Sequence, residues 1–168
     1  MASVKKRRKG VVLELSPEEV ALLQTLPAQL APVIEGGPPA DASTDPVRDR
    51  LFPRAYLDPT EEEAEHNWQD MVHSDLVAEK SAALAALAET LERVADADGD
   101  AKLTLDRAET EAWLSALNDA RLALGVTLGI TEEHDPSRLD PSDPGSQPFF
   151  VYDWLTMLQG TILEVVLQ

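Results

Sequence analysis

Glu62, His66, Asp70 and His73 recur at steps of four, four and three, a spacing that places them along one face of a helix. Two imidazoles and a carboxylate can hold zinc or another divalent ion, which makes His66, Asp70 and His73 a candidate metal set. A carboxylate beside an imidazole can instead tune it for proton transfer. The seven-residue gap between the histidines is longer than the i,i+4 spacing of a compact helical zinc pair. An acidic solvent face, or a polar contact between subunits, explains the same residues without a metal, and the weight falls there. Asp96, Asp98 and Asp100 resemble positions 1, 3 and 5 of a calcium loop, with Thr104 at position 9. However, Ala101 stands where the invariant glycine belongs, Gly99 comes one residue early, and Arg107 replaces the bidentate glutamate. A capped turn between two helices accounts for these acids better.

A second polar group interrupts an apolar helix in the stretch WLSALNDARLALG, where Asn118 and Arg121 share a face and Asp119 points elsewhere. An ion pair fixing helix packing, with Asp153 as a partner, is the expected role, and a small pocket between helices is the functional alternative. Trp68, Trp113 and Trp154 fall where a flat ring would cement a helix contact, and any of them left exposed beside an arginine would mark a protein-binding spot. Arg54, Tyr56, Asn118, Asp119, Arg121, Asp153 and Trp154 are therefore the partner-binding candidates. The chain has no glycine-rich phosphate loop and no nucleophile elbow, so no catalytic residue and no cofactor is expected.

The 168 residues include 31 acids, 14 bases and no cysteine, for a net charge of −17. A thiol nucleophile, a thiolate metal site and a disulfide are thereby excluded. Lys5, Lys6, Arg7, Arg8 and Lys9 form an unbroken basic run, so the charge divides into +5 there and −22 elsewhere. Such a run can contact nucleic acid or an acidic partner, fold back on its own acids, or stay in solvent. The acidic body argues against a grip on DNA by the whole surface. No run approaches the ~20 apolar residues of a membrane span, and the basic start lacks the apolar segment of a secretory signal. A cytoplasmic protein that makes no membrane contact is expected.

These residues need elements to position them. VVLEL at 11–15 is a strand by composition. Ser16, Pro17 and Glu19 open a helix as a capping box, with Val20, Leu23, Leu26 and Leu30 on its apolar face and Pro27 expected to end it near Leu26. Residues 35–46 form a loop, and 48–56 an irregular segment pinned by Leu51, Phe52 and Tyr56. A helix capped by Thr60 runs to about His73, with or without a break before a central helix over 75–95. The LTL at 103–105 is a candidate second strand beside VVLEL. Asp106 and Glu109 cap the next helix, which Gly129 ends. A loop over 130–147 leads to a last helix beginning at Phe149 or Tyr152, whose apolar stripe suits the core or a dimer interface.

LFPRAY, EAWLSALNDARLALG and YDWLTMLQ, together with the opening VVLELSPEE and the segment DPVRDRLFPRAYLDP, resemble the actinobacterial family called domain of unknown function 2017, in the expected order over most of the chain. The resemblance implies a small, mostly helical cytoplasmic protein, often encoded near a protease-adaptor gene, with some relatives regarded as transcriptional or stress regulators. It implies no catalytic residues, and a cysteine-based redox mechanism cannot transfer to a chain without cysteine.

The expectation is a mainly α, compact helical bundle with one or two short strands: a basic flexible arm over 1–10 and a single domain over 11–168, with loops near 35–50 and 130–148. The expected function is that of a non-enzymatic regulatory or adaptor protein acting through protein contacts, in transcriptional or stress regulation. The alternatives are a DNA-associated regulator using residues 5–9 and a metal-dependent helical protein. The partner is an unidentified protein, and a homodimer is a candidate assembly.

Overall fold

Residues 10–15 alternate too little to leave a polar face, and the resulting strand is the middle of a sheet. In the computed structural model, which describes residues 1–36, 45–53 and 58–168, β1 (Ser3–Arg7), β2 (Gly10–Leu15) and β3 (Ala101–Asp106) form an antiparallel sheet in the order β1-β2-β3. The LTL segment does pair with VVLEL, with Leu13 opposite Leu103 and Val11 opposite Leu105. β3 alternates buried Ala101, Leu103 and Leu105 with exposed Lys102, Thr104 and Asp106, as a strand with one covered face should.

Residues 1–10, expected as a basic arm, contain a strand and a turn. Residues 3–7 pair with β2, Ser3 opposite Glu14 and Arg7 opposite Gly10, so the basic run is an edge strand plus its turn at Arg8 and Lys9. Ala2 and Val4 pack on the core, and the Lys5 ammonium meets the Glu14 carboxylate at 3.3 Å. Those contacts hold a segment whose charge alone reads as solvated. The sheet consequently has three strands rather than one or two.

Helix α1 (Pro17–Glu35) begins with the expected capping box, Ser16 Oγ accepting from the Glu19 N–H while Glu19 accepts from the Ser16 N–H. It does not stop near Leu26. Pro27 and Pro32 lie inside it, each removing one backbone hydrogen bond. Val20, Leu23, Leu26, Leu30 and Ile34 are nevertheless all buried on one face, and that burial outweighs the lost bonds. A short helix, α2 (Pro46–Leu51), capped by Asp45, occupies part of the expected loop and delivers Leu51 and Phe52 into the core.

Asp58, not Thr60, caps the turn that opens α3, accepting from the Thr60 N–H at 2.9 Å. Of the two readings left open at Ser74, the unbroken one holds: α3 (Glu62–Glu92) runs 31 residues. Its core face is Ala83, Leu84, Leu87, Thr90 and Leu91. Asp96, Asp98 and Asp100 lie in the exposed turn from α3 into β3, a helix-to-strand connection where Gly99 takes φ +99°. Helix α4 (Arg107–Leu128) carries the expected Asp106–Glu109 capping box and ends at Gly129, whose φ of +66° lets the Ile130 N–H reach the Gly125 carbonyl at 2.9 Å.

Helix α5 (Gln147–Leu167) starts two residues before the earliest expected position. The stretch Pro144–Leu167 is long and apolar enough to cross a membrane by length and composition, contrary to expectation. Here its face of Leu155, Leu158 and Ile162 is buried in the core. The 130–147 loop is ordered by a repeated device. In Asp135-Pro136-Ser137, Asp140-Pro141-Ser142 and Asp143-Pro144-Gly145, the aspartate accepts the N–H two residues on, at 2.9–3.0 Å.

Candidate functional site: a cationic cleft at the hairpin turn

Gly10 sets the position of the basic turn. A Cβ there would lie 1.9 Å from the Leu105 carbonyl oxygen, so only glycine lets β2 approach β3 this closely beside Asp106. The approach brings Arg8 and Lys9 next to the first turn of α4, which immediately follows β3. Between them and the end of α5 lies a cleft of about 590 Å³. Lys6, Arg7, Arg8, Lys9 and Arg107 supply its charge, and Val11, Leu114, Val165 and Val166 its apolar lining. Glu111 is the one carboxylate in the lining, and it meets Arg107 at 3.3 Å with both side chains exposed. Among the described residues Lys6, Arg7, Arg8 and Lys9 have no ion-pair partner, whereas Lys5 is held by Glu14. Hydrogen bonds from Ser3 and then Lys5 keep the Glu14 carboxyl below its usual range.

The polar candidates of the helices separate into three places. Asn118 and Arg121 do share a face: the Arg121 guanidinium donates to Asn118 Oδ1 and to Gln159 Oε1, both at 3.1 Å, linking α4 to α5. Asp119 faces α3, where Lys80 Nζ lies 2.8 Å from its Oδ1 and 5.7 Å from the centre of the Phe52 ring. Burial pushes the Asp119 carboxyl up, against the opposing hydrogen bond and charge of Lys80. Asp153 does not pair with Arg121; its Oδ1 meets His134 Nε2 at 2.7 Å, and the His134 ring stacks on Phe149 and stands edge-on to Tyr152. Sequence reasoning missed His134, because nothing local marks a loop histidine that closes on a residue 19 positions later.

Trp154 serves a structural knot. Its indole N–H donates to Glu19 Oε1 at 3.0 Å, and the same oxygen accepts the Ala2 N–H at 2.8 Å. One carboxylate thus joins the start of β1, the cap of α1 and α5. Trp113 is fully buried and donates to Thr90 Oγ1 at 2.8 Å, and Trp68 is half-buried. Arg54 and Tyr56 lie outside the described residues.

The metal set is not assembled. His66 meets Asp70 at 3.3 Å on the surface, but His73 is buried against Phe52, ring centres 5.0 Å apart, with neither ring nitrogen hydrogen-bonded among the described residues. Desolvation, then the charge of Arg48, lowers the His73 pKa. Among the described residues no three His, Asp or Glu side chains gather as a metal site. A second cleft, about 510 Å³ and without a charged residue, lies between α1, α4 and α5 and contains none of the candidate site residues.

The geometry defines a helical scaffold carrying a cationic surface cleft with an apolar floor. The chain belongs to the family described as Domain of unknown function (DUF2017), whose model matches residues 1–166. A Mycobacterium leprae protein named putative oxidative stress regulator AosR is 33% identical, over 86% of this chain and 77% of its own length. Proteins of Mycobacterium bovis and Mycobacterium tuberculosis named oxidative stress regulator AosR are each 29% identical, over 91% of this chain and 80% of theirs. No solved structure matches the chain.

Proposed function

We propose that this protein is a non-enzymatic regulator that acts by contact with another protein, in a stress response of the kind its relatives are named for. The relatives are named as regulators and not as enzymes, which supports a regulatory, protein-interacting role. The observation that carries the contact mechanism is the cationic cleft: four cations, Lys6 and Arg7 on β1 and Arg8 and Lys9 on its turn, without an ion-pair partner among the described residues, on an otherwise acidic body. With no cysteine in the chain, an oxidant cannot be sensed here through a thiol, and the signal reaches this protein through its partner or its abundance.

Deleting the gene in the source organism and comparing transcripts before and after peroxide tests the role. The peroxide response should change in the deletion strain and return with a wild-type copy. An unchanged response in the deletion strain would refute the regulatory role.

A further inference from the structure

We propose that the cleft between the hairpin turn, the α4 N-terminus and the α5 C-terminus binds an acidic segment of a partner protein that carries apolar side chains. The inference rests on the regulatory reading for its biological setting, but its physical basis is independent of it.

Charge complementarity selects the sign of the occupant. Lys6, Arg7, Arg8, Lys9 and Arg107 face a single carboxylate, Glu111, so the cleft attracts anions on a molecule that elsewhere repels them. The floor selects the chemistry further. Leu114, Val165 and Val166 offer apolar surface that a phosphate backbone does not use, whereas an acidic peptide with leucine-like side chains satisfies rim and floor together. Of the five large hydrophobic residues exposed among those described, Val166 lines the cleft itself, and Leu163 and Leu167 lie on the same last turns of α5, Leu167 at 83%. Apolar side chains beside a ring of cations are the arrangement of a binding surface with a desolvated centre and a polar rim. A cleft of about 590 Å³ admits two or three such side chains at once rather than a folded domain.

The test uses the full chain and fluorescence anisotropy with a short fluorescein-labelled peptide of glutamate and leucine in helical repeat. The comparison probes are the same peptide with serine for leucine, the same with lysine for glutamate, a DNA duplex, and vesicles containing phosphatidylglycerol, all at one ionic strength. The glutamate–leucine peptide should bind most tightly, with an affinity that falls as salt is raised. Arg8→Glu with Lys9→Glu, both exposed on the turn, should weaken it about tenfold or more. Val166→Ser should weaken it severalfold while leaving the serine peptide nearly unaffected. Thermal melts of both variants establish that the fold is retained. Equal binding of the leucine and serine peptides would overturn the proposal, as would tighter binding of duplex or vesicles, or turn variants that bind like wild type. Peptide binding without any peroxide phenotype would remove the stress setting and leave the site; a phenotype without peptide binding would do the reverse.

Discussion

Lys80 and Asp119 give the sharpest test of the energetics. The two side chains are 17% and 4% exposed and 2.8 Å apart, and the second carboxylate oxygen has no hydrogen-bond partner among the described residues. Lys80→Met keeps all but the last atom of the side chain's length and strands a buried carboxylate, which costs about 3–5 kcal/mol when the charge stays. Asp119→Leu strands the ammonium instead, but Lys80 keeps some water and the Phe52 ring, so about 1–2 kcal/mol is expected. Replacing both with Met and Leu should return stability to within about 1 kcal/mol of wild type, a coupling of about 3 kcal/mol or more. The pH dependence has a definite sign. Burial raises the Asp119 pKa, so between the unfolded and folded values the native state holds more protons and stability falls as pH rises. Removing Lys80 takes away what opposes that rise and extends the window upward. The Lys80→Met penalty should therefore shrink between pH 7 and pH 5, as the stranded carboxyl takes up a proton. Urea unfolding followed by tryptophan fluorescence, with the fully buried Trp113 as the reporter, measures all four proteins at both pH values. Additive single-mutant penalties, or a Lys80→Met penalty that is the same at both pH values, would refute the reasoning.

Gly10→Ala should destabilise by about 2 kcal/mol or more in a denaturant titration, because its Cβ meets the Leu105 carbonyl oxygen, and should weaken peptide binding by displacing the basic turn. Glu19→Ala removes the acceptor of the Trp154 indole and of the Ala2 and Ser16 N–H groups; a loss of about 2 kcal/mol and a red-shifted Trp154 emission are expected, against a Trp154→Phe control. His73 has the opposite pH sign to Asp119: its pKa is lowered in the fold, so the unfolded chain binds the extra proton and stability falls as pH drops below about 6.5. His73→Leu, packed on Phe52, should flatten that part of the stability profile in melts taken between pH 7 and pH 5.

The features legible in the sequence are those whose physics is local. The Ser16–Glu19 and Asp106–Glu109 capping boxes, the αL glycine at 129 and the apolar stripes of α4 and α5 all depend on neighbours within one or two helical turns. The pairing of 103–105 with 11–15 was legible because both runs are short, β-favouring and apolar. The end of α1 was not, because Ile34, deep in the core, outweighs a local penalty at Pro27. Strand β1 was hidden for a related reason: three of its five residues are charged, and it is held by contacts with residues distant in the chain, among them the packing of Ala2 and Val4 and the pairing with β2. The candidate site was partly legible. The basic run carried its own signal, but the cleft also needs Arg107, Leu114 and Val165, which the chain folds beside the turn from distant positions. The same distance separates His134 from Asp153 and Lys80 from Asp119, so local spacing could not pair them.

Strand β1 is one of the two outer strands of the sheet, and such a strand leaves a row of backbone donors and acceptors on its free side that another chain can copy. Lys5, Lys6 and Arg7 lie along that edge and repel any second copy approaching in register. Neutralising all three would remove this protection against edge-to-edge aggregation along with part of the cleft's charge. Substitutions confined to the turn at Arg8 and Lys9 leave the protected edge intact, so loss of binding and edge-to-edge aggregation can be measured separately.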